Sequence, residues 1–286
     1  MVGGVGGPVL RADALATLYL FRPLRRLSSS AGRVPILMYH SVSDGPKETL
    51  HPYYRTVTNP AVFQSHMQHL SENGYTTLRA SDVSEHLEGG GSQIKKPVAI
   101  TFDDGFRDFY TNAFPVLAQY GFTATMYLPT SYIANESREF GRAGCMTWSE
   151  VRELQSRGIE FGSHTVTHPH LSTIERERVR FEIASSKETI EQEVGCAVTS
   201  FAYPFAFPET DRPFTASLRG MLQEAGYSNG VNTVIGTTDR KTDCFFRKRL
   251  PVNSCDNQKL LQAKLDGAYD WLHAIQYATK RVAKKA

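Results

Sequence analysis

From residue 32 onward, short apolar runs alternate with longer stretches whose apolar residues return every three or four positions, and Gly, Asn or Ser punctuates the joins. Runs of the first kind fit buried strands and the second fit amphipathic helices, so the chain reads as β/α alternation. "PILMYH" (35–40) predicts a buried strand. A helix follows over 59–74: Asn59 is placed to cap it, Pro60 suits its first turn, Phe63, Met67 and Leu70 share one face, and Gly74 stops it. A short strand at 76–78 and a helix from Ser81 lead to the glycine loop "EGGGSQ". "PVAITF" (97–102) is the clearest strand, followed by a helix over 106–120, a strand over 122–128 and a loop through about 146. The next helix opens with a capping box, Thr147 to Glu150, and closes near Gly158. After it come a strand at 159–163, a His-rich loop and a long helix with its own expected capping box, Ser172 to Glu175. A strand at 198–203, a helix at 213–225, strands at 227–231 and 249–252 and a last helix from about 256 complete the chain.

About eight strands, most followed by a helix, predict an α/β fold in the form of a distorted (β/α) barrel, closed or incomplete. An open doubly wound sheet is the alternative, although no glycine-rich dinucleotide turn follows the first strand. A barrel would put chemistry at the C-terminal ends of its strands.

At 286 residues and 41% hydrophobic the chain can bury a large core, and no linker divides it. Its net charge of +3, from 32 basic and 29 acidic residues, is too near balance to imply a nucleic-acid partner. Much of the excess sits at the ends, in "RPLRRL" (22–27) and "KRVAKKA" (280–286). The four cysteines (145, 196, 244, 255) lack C-x-x-C spacing and read as free thiols, with Cys244 and Cys255 the one pair near enough in sequence to bridge. No secretory signal is recognisable, and no stretch approaches the roughly 18 apolar residues of a membrane span. A helix over 11–27, with Leu15, Leu18 and Leu24 on one side, could touch a membrane surface or dock on the domain. Compartment and oligomeric state stay open.

Two features carry chemistry. Asp103 and Asp104 stand side by side at the end of the clearest strand, where two carboxylates cannot both ionise cheaply unless a cation holds one of them and leaves the other free as a base. Asp104 before Gly105 could equally be a turn or cap residue. Then "GSHTVTHPHL" (162–171) holds His164, His168 and His170, three of the chain's nine histidines. The four-residue spacing of His164 and His168 would, on one helical turn, put both imidazoles on one face, as metal-binding pairs use. No Glu follows His164, so the helical metalloprotease motif is excluded and the base must come from elsewhere. One carboxylate with two imidazoles is a three-ligand set that leaves room for water and substrate.

"TFDDG" (101–105) and "SHTVTH" (163–168) resemble the first two motifs of the polysaccharide deacetylase family, the NodB-type carbohydrate esterases. "ILMYHSV" (36–42), "FAYPF" (201–205), "RLPV" (249–252) and "LDGAYDWL" (265–272) resemble a branch that includes poly-N-acetylglucosamine deacetylases. The likeness runs over about 34–273. It divides the chain into an N-terminal extension (1–32), a NodB-like domain (33–275) and a basic tail (276–286). It implies a distorted β/α barrel and metal-dependent removal of acetyl groups from an N-acetylated carbohydrate. Carried over residue by residue, it makes Asp103 the base that deprotonates the attacking water. Asp104, His164 and His168 become ligands of a divalent metal, usually zinc.

"YPF" (203–205) matches the third motif, so Pro204 would orient Phe205 to donate its backbone N–H to an oxyanion, ordinary core packing being the alternative. The chain departs from the pattern twice. Phe201 and Ala202 stand where an arginine often orients the base, and Arg249 is the residue that could reach Asp103 instead, unless it forms a surface salt bridge. The late L-x-H motif that supplies the catalytic acid is absent, His273 being wrongly spaced. The replacement expected here is His40, at the end of the first strand with a pKa near neutrality, unless a neighbouring strand satisfies it. Tyr53, Tyr54 and Tyr132 could stack on sugar rings or equally pack their loops down. Two other functions fit the same residues: the same metal chemistry on a small N-acyl or ureide substrate, and a catalytically silent carbohydrate-binding barrel. Family members often work outside the cytoplasm, whereas this chain alone would suit the cytoplasm or a weak membrane association.

Overall fold

Eight parallel strands form the main sheet in a computed structural model that describes residues 11–25, 32–45, 52–89, 94–141 and 143–283, the Tyr53 side chain excepted. They are β1 (Ile36–Tyr39), β2 (Thr76–Leu78), β3 (Pro97–Phe102), β4 (Thr125–Leu128), β5 (Glu160–Ser163), β6 (Ser200–Ala202), β7 (Asn229–Ile235) and β8 (Arg247–Pro251). Their spatial order is β1-β8-β7-β6-β5-β4-β3-β2, and a further pairing of β1 with β3 closes the ring. That closing register runs from Ile36 opposite Ala99 to Tyr39 opposite Phe102. β2 lies outside the ring: it pairs with the start of β3, from Pro97 to Ala99, while β4 pairs with its end, at Thr101 and Phe102. The result is the expected distorted barrel, closed by seven strands with the eighth wedged against its base.

The strands are nearly continuous apolar runs because both of their faces are covered. Alternate residues separate cleanly. Ile36, Ala99, Tyr127, Ala202 and Val231 fill one cluster, and Leu37, Tyr39, Ile100, Phe102, Met126 and Leu128 join the larger core. The helix Pro60–Glu72 buries Phe63, Met67 and Leu70 as its pattern predicts, and Asn59 accepts the Ala61 N–H. The helix Trp148–Ser156 carries both bonds of the Thr147–Glu150 capping box.

Several expectations need correction. The Ser172–Glu175 capping box does not form: Thr173 turns its hydroxyl back onto the His170 carbonyl, and the helix starts at Arg176 after an N-cap Glu175 that makes no side-chain cap bond. The helix expected from 106 begins with a wide π-turn, Phe109–Ala113, before Phe114–Gln119. The last helix is two, Gln258–Leu265 and Leu272–Ala283, parted where Gly267 takes a φ of 75°, and the second carries much of the expected tail. Near the N-terminus, residues 12–25 are helical with a π-turn at Thr17–Phe21. Leu18 packs on the core while Leu15 and Leu24 are exposed, so these three leucines do not share a face. Residues 26 and 27 and most of the glycine loop lie outside the described residues. The four cysteines are free thiols, and no described helix is long and apolar enough to cross a membrane.

One glycine shows how tightly the barrel closes below the histidines. A Cβ at Gly162 would lie 2.5 Å from the Tyr127 ring and 2.8 Å from the Ser200 carbonyl oxygen. Gly162→Ala is therefore expected to lower stability by about 1–3 kcal/mol through overpacking, read from the urea midpoint. An unchanged midpoint would mean that β5 does not approach β6 and Tyr127 as described.

Candidate active site

The Asp103 backbone N–H extends the ladder of β3 by donating to the Tyr39 carbonyl (3.1 Å). The chain then turns sharply, with φ of 75° at Asp104 and 65° at Gly105, where a Cβ would meet Ile133 Cδ1 at 2.9 Å. A ladder residue followed at once by a left-handed turn sends the neighbouring carboxylates to different partners. Asp103 faces Arg249, whose Nη1 and Nη2 each donate to one carboxylate oxygen at 2.7 Å. Arg249 is fully buried, and its remaining donors reach the Asn232 carbonyl and Thr101 Oγ1. It is thus not a surface salt bridge. Sequence reading passed over Thr101 and Asn232 as its supports; Thr101 stood inside the quoted motif, whereas nothing local marks a carbonyl acceptor.

Asp104 faces the histidines. His164 follows β5, its N–H bonded to the Leu128 carbonyl, and its Nδ1 meets the Ala202 carbonyl at 2.8 Å. A carbonyl can only accept, so Nδ1 carries the proton and Nε2 presents a lone pair. That Nε2 lies 3.6 Å from Asp104 Oδ1, and His168 Nε2 lies 3.4 Å from the same oxygen. The two imidazoles do meet, but not on a helical turn. Residues 164–168 form a loop in which Thr165 (φ 71°) and His168 (φ 56°) are left-handed, and the Thr165 hydroxyl accepts the His168 N–H. Asp104, Thr165, His168 and Phe205 are the described non-glycine residues with positive φ. Strain of this kind costs of order 1–3 kcal/mol per residue, and all of it is gathered here.

The donor set fits a cation. Asp104 Oδ1 is buried without a hydrogen-bond partner, and the possible ligand atoms of Asp104, His164 and His168 all lie within 4.8 Å of one another. The 3.4 and 3.6 Å separations are long for hydrogen bonds. They suit a shared ion, since tetrahedral ligands at about 2.0–2.1 Å from zinc stand about 3.4 Å apart.

Electrostatics separate the two aspartates. Burial alone would raise the Asp103 pKa, but the charge and hydrogen bonds of Arg249, with His164 and His40 nearby, hold it well below the usual carboxylate range. Asp104 is pushed up to about 8 by burial and then by the charge of Asp103. Burial lowers the pKa of His164, and burial together with His164 lowers that of His168 to about 3, so both are neutral and ready to coordinate.

His40 points Nε2 at Asp103 Oδ2 from 3.9 Å. Burial pushes its pKa down to about 4 rather than leaving it near neutrality. Pro204 is buried. Phe205 takes a φ of 57°, gives its carbonyl to Thr233 Oγ1, and lays its half-exposed ring flat on His170 at 3.7 Å and edge-on to His168. It is not core. His40, Asp103, Asp104, His164, His168 and Phe205 line one cavity of about 440 Å³, which Tyr54 also borders. Tyr132 instead packs tilted against Phe140, which packs against His168, and the Tyr53 side chain lies outside the described residues. His273 pairs with Glu209.

A parallel barrel that gathers an arginine-held carboxylate, a second carboxylate and two imidazoles at its strand ends is a scaffold for hydrolytic chemistry. The sequence model described as polysaccharide deacetylase matches residues 90–230, and the chain belongs to the polysaccharide deacetylase family. YxkH of Bacillus subtilis, named as a polysaccharide deacetylase, is 29% identical over 226 residues, 77% of this chain and 72% of that protein. The poly-beta-1,6-N-acetyl-D-glucosamine N-deacetylase of Escherichia coli is 25% identical over 281 residues, 82% of this chain, which spans 41% of that longer protein. The solved structure of Streptococcus pyogenes deacetylase PplD, in complex with acetate, is similar with a TM-score of 0.69 and 25% identity, over 82% of this chain and 98% of that one.

The raised pKa of Asp104 has a stability consequence. Without metal, the unfolded chain releases this proton near the ordinary value of 3.8 and the folded protein keeps it to about 8. The residue therefore destabilises the fold increasingly from about pH 4 to pH 8, and fully above. Metal-free Asp104→Asn should gain stability relative to the metal-free parent between pH 5 and pH 8, measured by denaturant midpoints. Parallel pH dependence in the two proteins would show that Asp104 is not held protonated.

Proposed function

We propose that the protein is a metal-dependent N-deacetylase that hydrolyses acetamido groups of an amino-sugar polysaccharide or its precursor. The observation that carries this reading is the convergence of three acceptor atoms, from Asp104, His164 and His168, beside an ionised Asp103 in an open cavity at the strand ends. The names of the relatives from Bacillus subtilis and Escherichia coli support the substrate class.

Asp104, His164 and His168 would hold a divalent ion, most simply zinc, which supplies Lewis-acid polarisation of the acyl carbonyl and acidifies water. Asp103 takes the proton of the attacking water. Arg249 fixes the plane of its carboxylate and keeps it charged. The Phe205 backbone N–H donates to the oxyanion formed when water adds to the carbonyl carbon. Collapse breaks the C–N bond, and the departing amine needs a proton.

His40 delivers it. At neutral pH His40 is unprotonated, so the proton must first reach it from Asp103; Nε2 stands 3.9 Å from Asp103 Oδ2, beyond direct hydrogen-bond reach, and one water carries the proton between them. The transfer runs in the right direction, because Asp103 lies well below the usual carboxylate range and His40 at about 4 binds a proton more tightly. The products are acetate and a free amine. A cavity of about 440 Å³ falls in the range of roughly 300–1,000 Å³ that small ligands occupy, enough for one sugar unit of a longer chain.

The test is acetate release from β-1,6-linked and β-1,4-linked N-acetylglucosamine oligomers, with and without a chelator. Release that chelation abolishes and a divalent ion restores is expected, and release indifferent to chelation would contradict the mechanism. Sugar binding without acetate release would favour a silent carbohydrate-binding barrel. Asp103→Asn should keep its metal and lose turnover by about 10²–10⁴-fold. His40→Ala should lose turnover without loss of metal, and activity within a few-fold of the parent would remove His40 from the reaction.

A further inference from the structure

A fully buried carboxylate lies behind the histidine loop. Glu182, on the helix Arg176–Val194, is 0% exposed although it sits beside Val179 and Ile183 on the face that packs against the barrel. Its Oε2 accepts the backbone N–H groups of Val166 and Thr167, each at 2.8 Å. Its Oε1 accepts the Thr167 hydroxyl at 2.7 Å and the Arg178 guanidinium at 2.7 and 3.0 Å. Both oxygens are thus occupied, and three of the five bonds go to the two residues between Thr165 and His168. Those flanking residues are the left-handed ones, with φ of 71° and 56°.

Two left-handed residues three positions apart do not hold themselves in place, because the extended and right-handed alternatives are lower in energy for any residue with a Cβ. The amides of Val166 and Thr167 can both point to one oxygen only when the intervening loop has this curvature. The opposite side of the loop is tied as well: the Thr165 and Val166 carbonyls accept from the Thr130 and Ser131 N–H groups. One turn further along the helix, Ser186 bonds Ser163, whose hydroxyl accepts the Thr165 N–H. The loop that carries His168 is therefore clamped between residues 130–131 and the helix, and Glu182 is its anchor on the helix side.

We infer that Glu182 is a positioning residue for the proposed metal site: it holds the 165–168 turn in its left-handed form and so aims His168 Nε2 at Asp104, without itself touching metal or substrate. The inference rests on the metal-site reading above. It differs from that reading in placing a determinant of metal affinity on a helix behind the loop, where no ligand is present.

Equilibrium binding of Zn²⁺ and Co²⁺, by competition with a chromophoric chelator, tests it on the full chain at a temperature where every variant is folded by circular dichroism. Three variants are compared with the parent: the isosteric Glu182→Gln, Thr167→Val, which removes one donor and leaves Glu182 intact, and Ile190→Ala, which disturbs the same helix at a buried residue remote from the loop. Glu182→Gln should weaken metal binding at least tenfold and Thr167→Val by a smaller factor, while Ile190→Ala lowers the melting temperature and leaves affinity within twofold. In Co²⁺-loaded Glu182→Gln the visible ligand-field spectrum should also change, as a displaced imidazole requires. If Glu182→Gln and Thr167→Val bind as tightly as the parent, or if Ile190→Ala weakens binding as much as they do, the positioning role is wrong. A parent protein that binds no divalent ion would instead overturn the metal-site reading.

Discussion

Asp103 stays charged inside the barrel because Arg249 meets it with two parallel hydrogen bonds of 2.7 Å, and the charges of that pair modify the shifts that burial imposes on the rest of the site. Removing one partner of such a pair typically costs about 3–5 kcal/mol, since the other charge is left buried and alone. The guanidinium also reaches the Asn232 carbonyl on β7 and Thr101 on β3, so one side chain of β8 ties three strands at the height where the chemistry lies. The charge it secures on Asp103 helps to raise Asp104 to about 8, while it opposes the fall that burial imposes on His40 and His164. Adjacent carboxylates in one turn thereby acquire opposite characters.

That asymmetry explains why the loops are strained. Asp104 reaches the histidines only by leaving the strand in a left-handed conformation, and His168 returns to meet it from a loop with two more such residues. Phe205 adds a fourth on the facing wall, where its ring covers His170. The ladder of β3, the clamp from residues 130–131 and the helix 176–194 hold conformations that a free chain would abandon. Preorganised acceptors with no donor between them are the arrangement that binding a cation relieves.

Much of this was legible in the chain, and the failures have physical causes. A barrel followed from about eight apolar runs, most with a helix after them, though neither the order of the strands nor the place of β2 outside the ring did, and the adjacency of Asp103 and Asp104 at the end of the clearest run marked the site. Arg249 was expected at a strand end, whereas it stands in the middle of β8, and its burial could not be read from "RKR" (247–249), which looks like solvent-facing charge. The His164–His168 spacing suggested a helical turn because four residues suit both a helix and a tight loop. What decides between them is Glu182, eighteen residues from His164 in sequence, and long-range carboxylate–amide bonds leave no local pattern. One signal was present: a glutamate on the stripe of Val179, Ile183 and Ile190 is out of place unless something buried needs it. The expected acidity of His40 failed for a related reason, since burial depends on the loops around a residue more than on its own strand.

The central claim is that two neighbouring aspartates divide their work, Asp104 as ligand and Asp103 as an arginine-held base. It is tested most directly by a crystal structure of the zinc-soaked protein, with the ion located from its anomalous scattering. The account predicts one ion bonded to Asp104, His164 Nε2 and His168 Nε2, at about 2.0–2.2 Å, with the Asp103 carboxylate still forked on Arg249. An ion bonded to Asp103, or Asp103 released from Arg249, would contradict it.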